Sequence, residues 1–293
     1  MRPTFAKATA GKARKRFAQH FLESAWVNKL VVAVAPTPQD SILEIGPGRG
    51  AITRPLAAQA GRLLAIEIDR DLAADLEAAA LPRVTVVTND VLSVDLVPIL
   101  TQWLGAPPSS SNQIRVVGNL PYNISSPILF ALLDLAARTH GVRDAMLMLQ
   151  KEVADRLVAR VGTGEYGVLT VLTGVNADVK RVLSLPPGAF RPQPTVHSAV
   201  VKLTFRPPAA DIPDHPLFVR MVRTMFTQRR KTLSNALKPF AVERGADAIA
   251  ALAGAGIDPK RRPETLQLAE IASLARAFAH LRRDAGGADT PRP

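Results

Sequence analysis

Short apolar runs alternate with stretches of helical spacing along most of this chain, and that alternation restricts the fold more than any other feature. Ser41–Ile45 (SILEI), Arg62–Ile68 (RLLAIEI), Arg83–Val87 (RVTVV), Ile114–Val117 (IRVV) and Ala145–Leu149 (AMLML) read as strands. Ile52–Ala60 and Asp71–Ala80 between them read as helices, and Phe21–Val34 before them carries apolar residues at helical spacing. Near-continuous apolar strands separated by helices are the pattern of a parallel sheet covered on both faces. The expected fold class is therefore α/β, with an open sheet. Val179–Leu183 and Ser198–Phe205 follow closely on one another, and the second alternates, so an antiparallel pair is expected at one edge.

Two stretches interrupt the pattern. Gly105–Gln113 (GAPPSSSNQ) reads as an exposed loop, and the proline-rich Arg206–Pro216 reads as a linker. Beyond the linker, Leu217–Phe240, Ala246–Ala255 and Leu266–Leu281 have helical patterns. The expected division is a basic flexible arm at 1–16, an α/β domain at 17–205, a linker at 206–216, a helical domain at 217–283 and a disordered tail at 284–293.

Composition narrows the function classes. The chain of 293 residues has no cysteine, which excludes disulfides, thiolate metal sites and cysteine nucleophiles and suits the cytoplasm. It has neither an apolar run long enough to span a membrane nor a signal core, so no membrane partner is expected. The net charge of +12 implies a polyanion, most often nucleic acid. Arg14, Lys15 and Arg16 in the arm, and Arg220, Arg223, Arg229, Arg230 and Lys231 beyond the linker, are the candidate phosphate contacts. The alternative for QRRKTLSNAL (Gln228–Leu237) is a solvated helix face with Leu233 and Leu237 in the core, and both can hold together.

The chemistry concentrates after the strands. LEIGPGRG (Leu43–Gly50) places Gly46, Gly48 and Gly50 between a strand and a helix, where glycine permits a tight turn and close approach of a ligand to the backbone. The spacing is neither that of a dinucleotide-binding loop nor that of a phosphate loop. Glu67 ends the next strand, where an acid in such folds grips ribose hydroxyls, and Asp90 ends the third. Glu44 suits a cationic cofactor such as S-adenosylmethionine better than a pyrophosphate; it either touches the cofactor or holds the glycine loop.

The fourth strand runs into GNLPYNISS (Gly118–Ser126). An aromatic amine is a poor nucleophile because its lone pair is delocalised into the ring. Two acceptors on its N–H groups favour a pyramidal nitrogen with a localised pair. Asn119 offers a side-chain carbonyl, the Leu120 carbonyl is held by the Pro121 ring, and Tyr122 offers a stacking face. A plain turn into a helix, with Tyr122 in the core and Ser125 or Ser126 as the cap, explains the spacing equally well. Phe190 before the last strand is either a second stacking face or a hydrophobic plug. No His/Asp/Glu cluster calls for a metal.

Taken together, AQHFL (Ala18–Leu22), LEIGPGRGAIT (Leu43–Thr53), AIEID (Ala65–Asp69), NDVL (Asn89–Leu92), GNLPYNISSPILF (Gly118–Phe130), MLQKEVADRLVA (Met148–Ala159), FRPQPTVHSAVV (Phe190–Val201) and QRRKTLSNAL closely resemble the ribosomal RNA adenine dimethyltransferases of the bacterial small-subunit type. The segments follow family order through most of the chain. The resemblance implies a class I S-adenosylmethionine-dependent methyltransferase domain, Rossmann-like, with a small all-α C-terminal domain. It implies that the backbone at Gly46 and Gly48 meets the methionine part of the cofactor, Glu67 its ribose and Asp90 its adenine. It places His20 and Leu22 over the cofactor, Asn119 between cofactor and target amine, and Leu120, Pro121, Tyr122 and Phe190 around the target base. The implied substrate is a pair of adjacent adenosines in the 3′-terminal hairpin loop of 16S rRNA, in the 30S particle, with the enzyme a monomer. The alternatives are a large-subunit rRNA methyltransferase of the macrolide-resistance type and a non-catalytic RNA-binding assembly factor. His20 replaces the Asn usual in the family, and Arg49 replaces an apolar residue.

Overall fold

The computed structural model describes residues 20–285, with side chains to residue 281. Arg14, Lys15, Arg16 and the rest of the arm lie outside the described residues, as does the tail from 286. In chain order the elements are β1 (Phe21–Leu22), α1 (Ser24–Val34), β2 (Ser41–Ile45), α2 (Thr53–Ala57), β3 (Arg62–Glu67), α3 (Arg70–Ala78), β4 (Val84–Thr88), α4 (Leu96–Leu104), β5 (Ile114–Asn119), α5 (Ser125–Thr139), β6 (Val142–Gln150) and α6 (Lys151–Leu157). There follow α7 (Val168–Asn176), β7 (Ala177–Leu185), β8 (Phe190–Arg191), β9 (Ser198–Phe205), α8 (His215–Thr227), α9 (Leu233–Glu243), α10 (Ala248–Gly254) and α11 (Leu268–Ala285).

The main sheet among the described residues has seven strands in the order β4-β3-β2-β5-β6-β9-β7. The pairs β4–β3, β3–β2, β2–β5 and β5–β6 are parallel, and β9 is antiparallel to both β6 and β7. The antiparallel pair is thus present, but β7 alone forms the edge and β9 lies inside the sheet. Every residue of β2 is buried, as a central strand between two helical layers demands. Leu43 and Ile45 pack into one cluster with β5 and α5, and Ile42 packs into another with α1, Leu56 and Leu63.

Buried charge holds the edge of the sheet away from the glycine loop. Arg115 on β5 donates Nε to Asp144 at 2.9 Å and a terminal nitrogen to Asp40 at 3.0 Å, and Arg143 donates to Asp40 at 2.7 Å. Burial alone would raise the Asp40 carboxyl. Bonds from the Thr37 N–H, Arg115 and Arg143 outweigh it and hold the group below its ordinary range.

A further core joins α8, α9, α10 and α11, and it takes in Val171, Leu172 and Val175 of α7. The helical region is therefore packed around an element that precedes the proline-rich linker. Three local expectations are corrected. Phe21 and Leu22 form a strand, since Glu23 is extended (ψ 148°) and α1 begins at Ser24. The helical pattern of Leu217–Phe240 is broken at 228–232, where Thr232 is extended (ψ 158°) and the Leu233 N–H bonds the Arg261 carbonyl at 2.7 Å. Lastly, α11 continues to Ala285, into the stretch read as tail.

Candidate active site

The C-terminal ends of β2, β3, β4 and β5 converge on one pocket. In an open parallel sheet this edge is where ligands bind, because the loops there splay apart on either side of the central strands. His20, Leu22, Gly46, Gly48, Glu67, Asp90, Asn119, Leu120, Pro121 and Tyr122 all line it. Sites far apart in the sequence are thus brought together.

The glycine loop forms the floor. Gly46 has φ +69°, and a Cβ there would meet nothing within 4 Å, so its backbone is open to the pocket. Gly48 has φ +56° and lies against the Phe21 ring, where an added Cβ would stand 3.2 Å from a ring carbon. Glu67 is 3% exposed. Its two oxygens accept from the Gly48 and Asp69 backbone N–H groups, at 2.9 and 3.0 Å. Each oxygen keeps a further lone-pair site, so the carboxylate orders the loop and still has acceptor capacity. Asp90 closes its own turn, accepting from the Leu92 N–H at 2.9 Å and the Ser93 hydroxyl at 3.0 Å.

Glu44 does not line the pocket. It is wholly buried behind the glycine loop, where neither its Oε2 nor the Thr53 hydroxyl has a partner in hydrogen-bonding geometry. Burial pushes its carboxyl up to about 7; the nearby Thr53 hydroxyl opposes the rise and the Glu67 charge adds to it. Direct contact with a ligand in the pocket is therefore the role that the structure does not give to Glu44.

The N-terminal segment forms one wall. β1 pairs antiparallel with β8, Phe21 opposite Arg191 and Leu22 opposite Phe190. The Arg49 guanidinium lies 4.6 Å from the centre of the Phe21 ring, which latches the glycine loop to β1 and gives Arg49 a role the sequence did not disclose. His20 turns its imidazole onto Tyr122, with ring centroids 5.7 Å apart and planes inclined by 27°. The His20 carbonyl accepts from the Asn119 side-chain NH₂ at 2.9 Å. Since a carbonyl can only accept, this bond fixes the orientation of the Asn119 amide, and no described group donates to its own carbonyl.

Beyond Asn119 the chain turns through Pro121 into α5. The Ile124 N–H bonds the Pro121 carbonyl at 3.1 Å, and the Ser125 hydroxyl donates to the Tyr122 carbonyl at 3.2 Å. Ser125 therefore fixes the turn and does not cap the helix. The Tyr122 ring is half-buried, and its hydroxyl lies 2.6 Å from that of Ser198.

Phe190 departs from expectation. It is fully buried, in the core cluster that holds Val27, Leu30 and Val200, and it does not reach the pocket. Its pairing with Leu22 turns it inward, so the plug reading is the one the structure carries.

The basic residues beyond the linker divide into two groups. Arg220 is ion-paired with Glu243 at 3.1 Å, and Arg223 stands 5.7 Å over the Phe130 ring. Arg229, Arg230 and Lys231 occupy the turn between α8 and α9, and Arg229 faces a cleft that it shares with Lys151, Arg156 and His197.

Residues 10–280 match the family described as ribosomal RNA adenine dimethylase. The chain belongs to the ribosomal RNA adenine dimethylase family. It is 43% identical over 271 residues to a protein of Moorella thermoacetica named ribosomal RNA small subunit methyltransferase A, with 91% of this chain and 93% of the relative covered. A protein of the same name from Xanthomonas campestris pv. campestris (strain B100) is 45% identical over 267 residues, covering 90% and 95%. Among solved structures, a dimethyladenosine transferase from Plasmodium falciparum superposes with a TM-score of 0.71 at 22% identity, over 89% of this chain and 98% of that one; this likeness shows the fold. The family membership agrees with the resemblance read from the motifs and makes the protein an S-adenosylmethionine-dependent methyltransferase with a class I α/β fold. No helix among the described residues is long and apolar enough to cross a membrane.

The family's cofactor fits the residues present. The backbone at Gly46 is open, Glu67 has acceptor capacity suited to hydroxyl groups, and Ile66, Ile68 and Val91 give the pocket apolar sides for a flat base.

Proposed function

We propose that this protein dimethylates the N6 amines of two adjacent adenosines in the 3′-terminal hairpin loop of 16S rRNA, in the 30S subunit or its precursor, as a cytoplasmic monomer. The observation that carries the reading is the fixed Asn119 amide. Its NH₂ is held by the His20 carbonyl, so its carbonyl is left for a substrate donor, beside Tyr122 in the same pocket. No described group donates to the Leu120 carbonyl either, which supplies the second acceptor.

Gly46 and Gly48 would hold the methionine part of S-adenosylmethionine, Glu67 the ribose and Asp90 the adenine, with His20 and Leu22 closing over it. When bound, the cofactor supplies an electrophilic sulfonium methyl group. The protein's task is to position the target. Tyr122 stacks the base, and the Asn119 and Leu120 carbonyls accept from its amine and localise the nitrogen lone pair. The nitrogen would gain the methyl carbon as that carbon's bond to sulfur breaks, with S-adenosylhomocysteine as the leaving group, and would then lose a proton to water, which needs no strong base because the alkylated amine is cationic. A base inside a stack cannot reach this pocket, so a loop adenosine is the least costly substrate.

Relatives at 43% and 45% identity carry the small-subunit name, which favours this substrate over a large-subunit one. Incubating wild type and Asn119→Ala with S-adenosylmethionine and undermethylated 30S particles tests the reading. The wild type is expected to form dimethyladenosine and the variant to lose transfer while keeping RNA affinity. Transfer only to 50S-derived RNA, or RNA binding without transfer by the wild type, contradicts it.

A further inference from the structure

Ser198 opens β9 and is 1% exposed. It pairs with Gln150 at the end of β6 and Leu185 at the end of β7, so its hydroxyl is buried at the sheet edge. Most buried hydroxyls have a partner. That partner is the Tyr122 hydroxyl, 2.6 Å away, from a loop 76 positions earlier in the chain. Nothing in the transfer described above uses Ser198.

The phenol is held at three places. The turn beneath it is closed by the Ser125 hydroxyl on the Tyr122 carbonyl. Its far end is tied to Ser198. One ring face lies against His20, whose Nδ1 is 2.8 Å from the Pro192 carbonyl. A tyrosine ring turns about two side-chain torsions, and the second is broad. Because the hydroxyl lies on the ring's long axis, the Ser198 bond fixes the direction of that axis. The His20 stack limits rotation about it. One face of one orientation remains for a ligand.

We propose that Ser198 is a positioning residue for base recognition: by anchoring the Tyr122 hydroxyl, it sets where the amine of a stacked adenine meets the Asn119 carbonyl. This rests on the reading of Tyr122 as the stacking face. Without the anchor the ring still stacks, so substrate still binds, but the amine is delivered off line. Small misplacements of a reacting atom are costly to turnover. The loss therefore falls on kcat and not on KM.

The test compares wild type, Ser198→Ala, Tyr122→Phe and the double variant. The chain has two tyrosines, so ζ-carbon-labelled tyrosine gives two resonances, and Tyr122→Phe assigns them. Ser198→Ala is expected to move the Tyr122 signal and leave that of Tyr166 in place. In methyl transfer to undermethylated 30S particles, each single variant is expected to lose about five- to tenfold in kcat at unchanged KM, the size of one net hydrogen bond. The double variant should be no worse than either single one, since both remove the same bond. An unmoved Tyr122 signal, an unchanged kcat in Ser198→Ala, or losses that multiply in the double variant overturn the proposal. A wild type that transfers no methyl group while the Tyr122 signal still moves overturns the proposed function, and Ser198's part in it, and leaves the hydrogen bond standing.

Discussion

Asn119 joins the N-terminal segment to the end of β5. Its NH₂ holds the main chain at His20, and its carbonyl is the acceptor in the proposed transfer. Asn119→Ala removes both, and kcat is expected to fall on the order of 10²-fold, the usual cost of one preorganised polar contact to a reacting group; single-turnover methylation measures it. Glu44 makes a different prediction. Its carboxyl titrates near 7 in the fold and near 4.5 unfolded. Between those values the folded protein binds the extra proton, so this group's contribution to stability falls as pH rises through that window. Above it the penalty is about 3 kcal/mol. Glu44→Gln should be more stable than wild type at pH 8 and no more stable at pH 4.5. Urea midpoints across that range check this, and parallel curves contradict it. The position of Asn119 and Leu120 at the pocket was legible in the sequence, because the apolar run before them marks the end of a strand. The inward turn of Phe190 was not, because it depends on pairing with Leu22, 168 positions away.

At the scale of elements, regular strands were readable and short ones were not. β2 and β9 span the expected Ser41–Ile45 and Ser198–Phe205, because runs rich in apolar residues must be buried wherever they pair. β1 has two residues whose spacing also suits the helix that follows, so nothing local distinguishes it. Yet β1 carries His20 to Tyr122 and sets Phe21 between Arg49 and Gly48. The glycine loop beneath it permits a sharp separation of stability from function. Gly46→Ala forces an L-residue into φ +69°, at a cost of about 1–2 kcal/mol, and places a methyl group in open pocket space. Calorimetry should show S-adenosylmethionine affinity falling at least tenfold. An affinity unchanged at that position contradicts the placement of the cofactor over Gly46.

For the molecule as a whole, the two ends of the sheet differ in how their polar groups are paired. At the pocket edge no described group donates to the Asn119 side-chain carbonyl or the Leu120 carbonyl, whereas Arg115, Asp40, Asp144 and Arg143 satisfy one another at the other edge. Arg115→Ala takes from two buried acids the buried guanidinium that bonds both, leaving them the more exposed Arg143, and is expected to cost about 3–5 kcal/mol of unfolding free energy, read by urea denaturation. The net charge of +12 announced a polyanion, but the sequence could not say which cations are free, since that depends on pairing in space. Arg220 is paired with Glu243, whereas Arg229, Arg230 and Lys231 share a turn beside a cleft. Replacing those three with Ala should flatten the dependence of log affinity for RNA on log salt by about 2–3, whereas Arg220→Ala should change it less; filter binding over a salt series measures both. Methyl transfer to adenosines of small-subunit rRNA is measured by mass spectrometry of that RNA after undermethylated 30S particles are incubated with the protein and S-adenosylmethionine. Two dimethyladenosines in the 3′-terminal fragment are predicted; a fragment that gains no methyl groups would rule out small-subunit rRNA as the substrate.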